Sequence, residues 1–240
     1  MNDKVTLVIP TLNEIDGVKV VMPKIKPQWY DQLIILEGGS TDGTVEYLRN
    51  RGHEIYFQRE AGLRKGLIEN YKNIKGDIII TFSPDGNSVP ELIPALADKI
   101  KEGYDMVIVS RYLGDAKSYD DTFVTRLGNK FFTKTINLLF GFNYTDAMVI
   151  YRGYRKEIVE KLGILKPRSN FYEKHIGRYV SWEPQLSIRC AKNRLKIAEI
   201  PGDEPRRVCD DINKGMLPSS RIRHFRAGFA CLCLIFDELF

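Results

Sequence analysis

The sequence holds 240 residues, 43% hydrophobic and 28% charged, a make-up that excludes disorder and supplies apolar surface for a substantial core. The 36 Lys and Arg exceed the 31 Asp and Glu by a net +5, a mild surplus that fits anionic ligands or an anionic membrane surface and does not point to nucleic acid. Cys190, Cys209, Cys231 and Cys233 lack paired Cys-x-x-Cys spacing and nearby histidines, so neither a zinc site nor a disulfide framework is expected, and a cytoplasmic location is the default.

The amino terminus runs straight into a strand-like segment without the plan of a secretory signal, so no export is expected. Short apolar runs predict strands at Val5 to Ile9, Gln32 to Leu36, Glu54 to Phe57, Asp77 to Phe82 and Met106 to Val109. Helical spacing between them predicts helices over Glu14 to Lys24, Thr44 to Arg51, Gly62 to Asn73 and Pro90 to Glu102. This alternation is that of an α/β fold with a mainly parallel sheet, whose ligands bind beyond the carboxyl ends of the strands. After Ser110 come a polar loop through Asp121, a helix over Thr122 to Phe140, mixed short elements to about Pro218 and a C-terminal helix from Ser219 to Phe240. His53 and His175 lack partners at motif spacing and read as structural.

Three strand-end loops carry the chemistry. VIPTLNE ends the first strand, where Pro10 stops it, Leu12 follows and Asn13-Glu14 can open the next helix; a strand stop with a helix cap explains the same residues. LEGGSTDGT ends the second, and its glycines allow close backbone approach to a nucleotide while Glu37, Ser40 and Asp42 can bond a base or ribose around Gly39. TFSPDGNSVPE ends the fourth, with Asp85 and Asn87 as oxygen ligands for a hard divalent cation; an Asp-Gly turn before a helix is the competing explanation.

In this order the loops resemble the family 2 glycosyltransferases of GT-A fold, in their dolichyl-phosphate mannose/glucose synthase-like branch, over about residues 4 to 216. The resemblance implies a Rossmann-like domain at 1–218, with a nucleotide-binding half at 1–110 and an acceptor half at 111–218, and a C-terminal amphipathic helix at 219–240. It implies transfer of a sugar from a nucleoside-diphosphate sugar, with inversion and with Mg2+ or Mn2+. The family's acidic pair falls on Glu37 and Gly38, and its Asp-x-Asp motif on Ser83, Pro84 and Asp85. One acid of each is kept, so weaker metal binding is expected, and a sugar-nucleotide-binding protein without catalysis is the alternative class.

The segment around Arg64 and Lys65 resembles the family's Gly-Lys-Gly grip on the nucleotide, and Arg207 and Lys214 fall in its basic loop over the diphosphate. Arg111, directly after the fifth strand, lies where the transferred group belongs. Arg126, Lys130 and Lys134 stack on one helix face beside Leu127, Phe131, Leu138 and Leu139; in the polyprenyl-phosphate branch such residues hold the lipid phosphate. Glu183, in SWEPQLSIR, falls where many inverting members place a catalytic base, which a glycan hydroxyl needs and an already ionised phosphate does not.

The apolar run Ala227 to Phe236 is too short to span a bilayer. Preceded by Arg221, Arg223, His224 and Arg226, the helix over 221–240 can lie on the inner face of an anionic membrane, dock on the domain or form a homo-oligomer interface.

Overall fold

The computed structural model describes residues 3–166, 182–208 and 220–239. Its strands are β1 (Val5–Thr11), β2 (Gln32–Glu37), β3 (Ile55–Phe57), β4 (Ile78–Thr81), β5 (Met106–Ser110), β6 (Arg152–Arg155) and β7 (Ile197–Pro201). They form one sheet in the order β3-β2-β1-β4-β6-β5-β7, parallel throughout except for β6, which runs antiparallel to both neighbours. The helices are α1 (Ile15–Val21), α2 (Thr44–Arg49), α3 (Leu63–Asn70), α4 (Ile93–Lys101), α5 (Phe123–Phe140), α6 (Lys156–Lys161), α7 (Trp182–Lys192) and α8 (Ser220–Asp237).

The central strands are near-continuous apolar runs because both faces of the sheet are covered. Leu7, Ile9, Ile78, Ile80 and Val107 point to one face and pack with Val18 of α1, Leu48 of α2 and Leu96 of α4. Val8, Ile79, Met106 and Ile108 point to the other, against Leu67 of α3, Ile136 of α5 and Leu186 of α7. The five predicted strands fall in place, and β6 and β7 were absent from the sequence reading. Arg152-Gly153-Tyr154-Arg155 has no apolar alternation to betray a strand. Arg152 is nevertheless fully buried, its guanidinium donating to Ala147 O at 3.2 Å, Val149 O at 2.9 Å and Ser187 Oγ at 2.8 Å.

The C-terminal helix is docked on the domain. Ala230, Cys231, Leu234 and Ile235 of α8 join the core beside α5 and α7, and Glu238 accepts from Arg189 Nε at 2.9 Å and Gln185 Nε2 at 3.1 Å. No helix among the described residues is long and apolar enough to cross a membrane.

Candidate active site

The loops after β1 and β2 are stitched together by the polar residues that the sequence marks there. Glu37 is fully buried, and its carboxylate accepts from Thr11 Oγ1 at 2.7 Å, Gly39 N at 2.7 Å and Ser40 N. Ser40 Oγ accepts from Asn13 N at 2.9 Å, and Asn13 Oδ1 from Thr41 N at 2.8 Å. Asp42 accepts from Ile15 N at 2.9 Å and Thr44 N at 3.0 Å, while Thr44 Oγ1 accepts from Glu14 N at 3.0 Å. Burial pushes the Asp42 pKa up, but the bonds from the Thr44 hydroxyl and the two backbone N–H groups outweigh it and hold the carboxyl below its usual value. Pro10 and Leu12 are half-buried at the same edge. These side chains fix the two loops to one another through their backbone N–H groups.

The loop after β4 is seated by α1. A Cβ on Gly17 would stand 2.3 Å from the Pro84 carbonyl oxygen, so glycine is required for α1 to approach this closely. Asp85 is buried, and its Oδ1 accepts from Asn87 N at 3.2 Å. Across it runs the segment 202–208: Val208 N donates to Asp85 O at 2.9 Å, and Gly86, at φ +91°, would place a Cβ 2.5 Å from Val208 Cγ2. Arg207 Nε lies 3.4 Å from Asp85 Oδ2 and 2.9 Å from Asp120 Oδ2.

At the end of β5, Arg111 forms a two-pronged pair with Asp146, at 2.6 and 3.0 Å, and reaches Glu204 Oε1 at 3.1 Å. Burial disfavours its charge, and Asp146 and Glu204 more than offset that, so Arg111 is held as a cation. Asp146 N in turn donates to Glu199 at 2.9 Å, and Glu204 accepts from Ser118 Oγ and, at 3.4 Å, from Asn87 Nδ2. Burial raises the Glu204 pKa, and Arg111 pulls it part of the way back.

Between these groups opens a cavity of about 610 Å³. Ser83, Asp85, Asn87, Arg111, Glu204 and Arg207 line it, and Thr122, Thr125 and Asn129 of α5 form another part of its wall. The structure thus gathers Asp85, Asn87, Arg111 and Arg207 in one place. Arg126 and Lys130 sit on the exposed outer side of α5 next to that wall, with Arg126 Nη2 donating to Ser118 O at 3.2 Å.

None of Pro10, Leu12, Glu14, Glu37, Gly39, Ser40 and Asp42 lines this cavity, and Arg64, Lys65 and Glu183 stand elsewhere. Arg64 is turned into the core, donating to Ile164 O at 3.0 Å and Lys166 O at 3.1 Å, because the first turn of α3 faces the body of the domain. Lys65 pairs with Glu60 on the surface. Glu183 is fully buried in the first turn of α7, beside Trp182, which packs on Tyr154; its own carbonyl accepts from Arg152 Nη1 at 3.1 Å, and it does not line the cavity. Lys214 and His175, and the side chains of Arg221, Arg223 and His224, lie outside the described residues. Sequence reasoning missed Asp146, Glu199, Asp120 and the role of Glu204, since none sits at a predicted strand end; the polar TDA step at Thr145 was the available signal.

The glycosyl transferase family 2 pattern matches residues 6–163, about two thirds of the chain. The chain belongs to that family. Among curated relatives, the glycosyltransferase AglJ of Haloferax volcanii is 23% identical over 83% of this chain and 62% of its own length. The undecaprenyl-phosphate 4-deoxy-4-formamido-L-arabinose transferase of Aeromonas hydrophila is 26% identical over 70% of this chain and 53% of its own. The chain therefore spans between half and two thirds of the length of these relatives. Among solved structures, glucosyl-3-phosphoglycerate synthase of Mycobacterium tuberculosis, in complex with Mn2+, UDP-glucose and glycerol 3-phosphate, superposes with a TM-score of 0.72 at 19% identity. It covers 99% of this chain and 80% of that one. The shared architecture is the GT-A fold.

No group of three or more His, Cys, Asp or Glu among the described residues could hold a metal ion by itself. Asp85, Asn87 and Ser83 nonetheless supply hard oxygens at one wall of the cavity, a set that diphosphate and water oxygens can complete. At this wall the guanidinium of Arg207 already pairs with Asp85.

Proposed function

We propose that the protein transfers a sugar from a nucleoside-diphosphate sugar to a polyprenyl phosphate at a membrane surface, with inversion at the anomeric carbon. The observation that carries this reading is the cavity itself, which joins Asp85 at the end of β4 to the first turns of α5. The outer face of α5 suits a lipid. Phe123, Val124, Leu127, Phe131 and Leu138 recur at helical spacing and are exposed, Phe123 to 81% and Leu138 to 84%. Arg126, Lys130 and Lys134 flank that stripe, as in helices that lie in an anionic bilayer interface. Peripheral contact is therefore assigned to α5, with α8 adding the exposed Phe229 and Phe236.

In this reading the nucleoside lies against the stitched β1 and β2 loops, whose shape is fixed in advance by their hydrogen bonds. Asp85 and Asn87 would hold Mg2+ or Mn2+, which would supply neutralisation of the diphosphate. The acceptor phosphate is ionised at neutral pH and attacks the anomeric carbon from the face opposite the nucleotide. A carbon–oxygen bond forms to the phosphate as the bond to the diphosphate breaks, and Arg207 stands where negative charge grows on the leaving group. No general base is required, in keeping with the burial of Glu183 away from the cavity. A glycan-hydroxyl acceptor with Glu183 as base, and binding without turnover, are the other readings; the first lacks a base within the cavity at that position.

The test uses Arg126→Ala/Lys130→Ala with labelled donor and undecaprenyl phosphate in anionic vesicles. Transfer should fall about tenfold or more, on the scale of two lost charge-assisted contacts, while donor binding stays unchanged. Unchanged transfer would remove these cations from the acceptor site.

A further inference from the structure

Asp85 faces a positive charge already present in the chain. Arg207 is fixed between two carboxylates, with Nε 3.4 Å from Asp85 Oδ2 and 2.9 Å from Asp120 Oδ2, and its backbone N donates to Asp120 Oδ1 at 3.3 Å. The side chain of Asp85 is only 8% exposed. Its Oδ1 is engaged by Asn87 N, and the Val208 N–H holds the segment 202–208 down on the Asp85 carbonyl. A carboxylate enclosed in this way has little room to serve a guanidinium and a divalent cation together.

We infer that Arg207 is an internal counter-cation for Asp85, one that a divalent cation must displace and that the donor diphosphate draws away. This rests on the reading of Asp85 as the place where a nucleotide-borne cation binds. In the free protein the guanidinium offsets one of the two charges of Asp85 and Asp120, so a lone cation must compete with it for Asp85. When the cation arrives on a diphosphate, Arg207 exchanges one carboxylate for phosphate oxygens, to which a guanidinium bonds in a forked geometry. Cation and arginine therefore compete without nucleotide and cooperate with it. The segment 202–208 also carries Glu204, which contacts Arg111 and Asn87, so the same exchange is coupled to the acceptor wall of the cavity.

The experiment titrates Mn2+ into the full chain and follows the free ion by electron paramagnetic resonance, first without nucleotide and then with saturating UDP or GDP. Arg207→Gln should bind Mn2+ about fivefold more tightly than wild type without nucleotide, the size expected for removing one screened charge a few ångströms away. Arg207→Lys, which keeps the charge, should stay close to wild type, and Arg206→Gln, at an exposed neighbour, should change nothing. With the nucleotide added the order should invert, Arg207→Gln holding the Mn2+–nucleotide complex about tenfold more weakly. Arg207 is one-third exposed, so the variant is expected to fold, and its thermal melt checks that. The inference is overturned if Arg207→Gln binds Mn2+ no more tightly than Arg206→Gln in the absence of nucleotide. If neither UDP nor GDP binds any variant, the donor reading fails for those nucleotides while the first arm still decides on the counter-cation.

Discussion

The loops after β1 and β2 are held by hydrogen bonds between side chains and backbone of two neighbouring turns, with partners 27 and 30 residues apart, such as Ser40 with Asn13 and Thr44 with Glu14. The loops after β4 and β5 are held by buried or half-buried ion pairs between residues far apart in the chain, Arg111 with Asp146 and Glu204 and Arg207 with Asp85 and Asp120. The first arrangement sets a shape through neutral donors gathered on two carboxylates, Glu37 and Asp42, with no cation among the partners named. The second sets two arginines among four carboxylates in a confined space, so its strength rests on charges that each need a partner.

Breaking the charged side should cost most. Asp146→Ala leaves Arg111 buried with Glu204 as its carboxylate partner, and removing one member of such a pair costs about 3–5 kcal/mol. Urea unfolding should show a loss of that size together with loss of sugar transfer. A loss under about 1 kcal/mol, the range of exposed pairs, would mean that the Arg111 pair is effectively solvated. On the other side, Glu37→Ala removes the acceptor shared by Thr11, Gly39 and Ser40. Gly39 is exposed, so water takes over part of the role, and the expected cost is about 2 kcal/mol. Nucleotide affinity should fall with it, and unchanged affinity would show that the loop holds its shape without Glu37.

The contrast explains what could be read from sequence. Val5 to Ile9, Gln32 to Leu36 and Asp77 to Phe82 announce themselves as apolar runs, and the polar clusters after them lie at strand ends, where local pattern is enough. Asp85, Asn87, Arg111 and Arg207 were legible for the same reason, or through the family resemblance. Asp146, Glu199 and Asp120 were not, because their meaning comes from partners far along the chain. Asp146 gains its role only when the antiparallel β6 brings its loop beside β5, and a strand with Arg at each end does not look like one. Arg64 shows the converse error: a cation at a helix start reads as a phosphate ligand until packing turns it inward.

The smallest expected effect concerns pH. Asp42 has a folded pKa below its usual value, so its contribution is fully present above the unfolded pKa and is lost as pH falls through the folded one. Thermal melts of wild type should therefore drop on acidification through the carboxylate range, and Asp42→Asn should flatten part of that drop. An unchanged acid profile in Asp42→Asn would show that the stitching of the two loops does not depend on the charge of Asp42.

Sugar transfer to a lipid phosphate, from a nucleotide donor held at Asp85, is the proposed reaction. The most direct measurement incubates the protein with labelled UDP-, GDP- and CDP-sugars, Mg2+ or Mn2+, and undecaprenyl phosphate in anionic vesicles, beside the Asp85→Ala variant. The account predicts that at least one donor yields a lipid-phosphate-linked sugar of inverted anomeric configuration, and that Asp85→Ala abolishes it. Donor binding without any turnover, or transfer that survives Asp85→Ala, would contradict it.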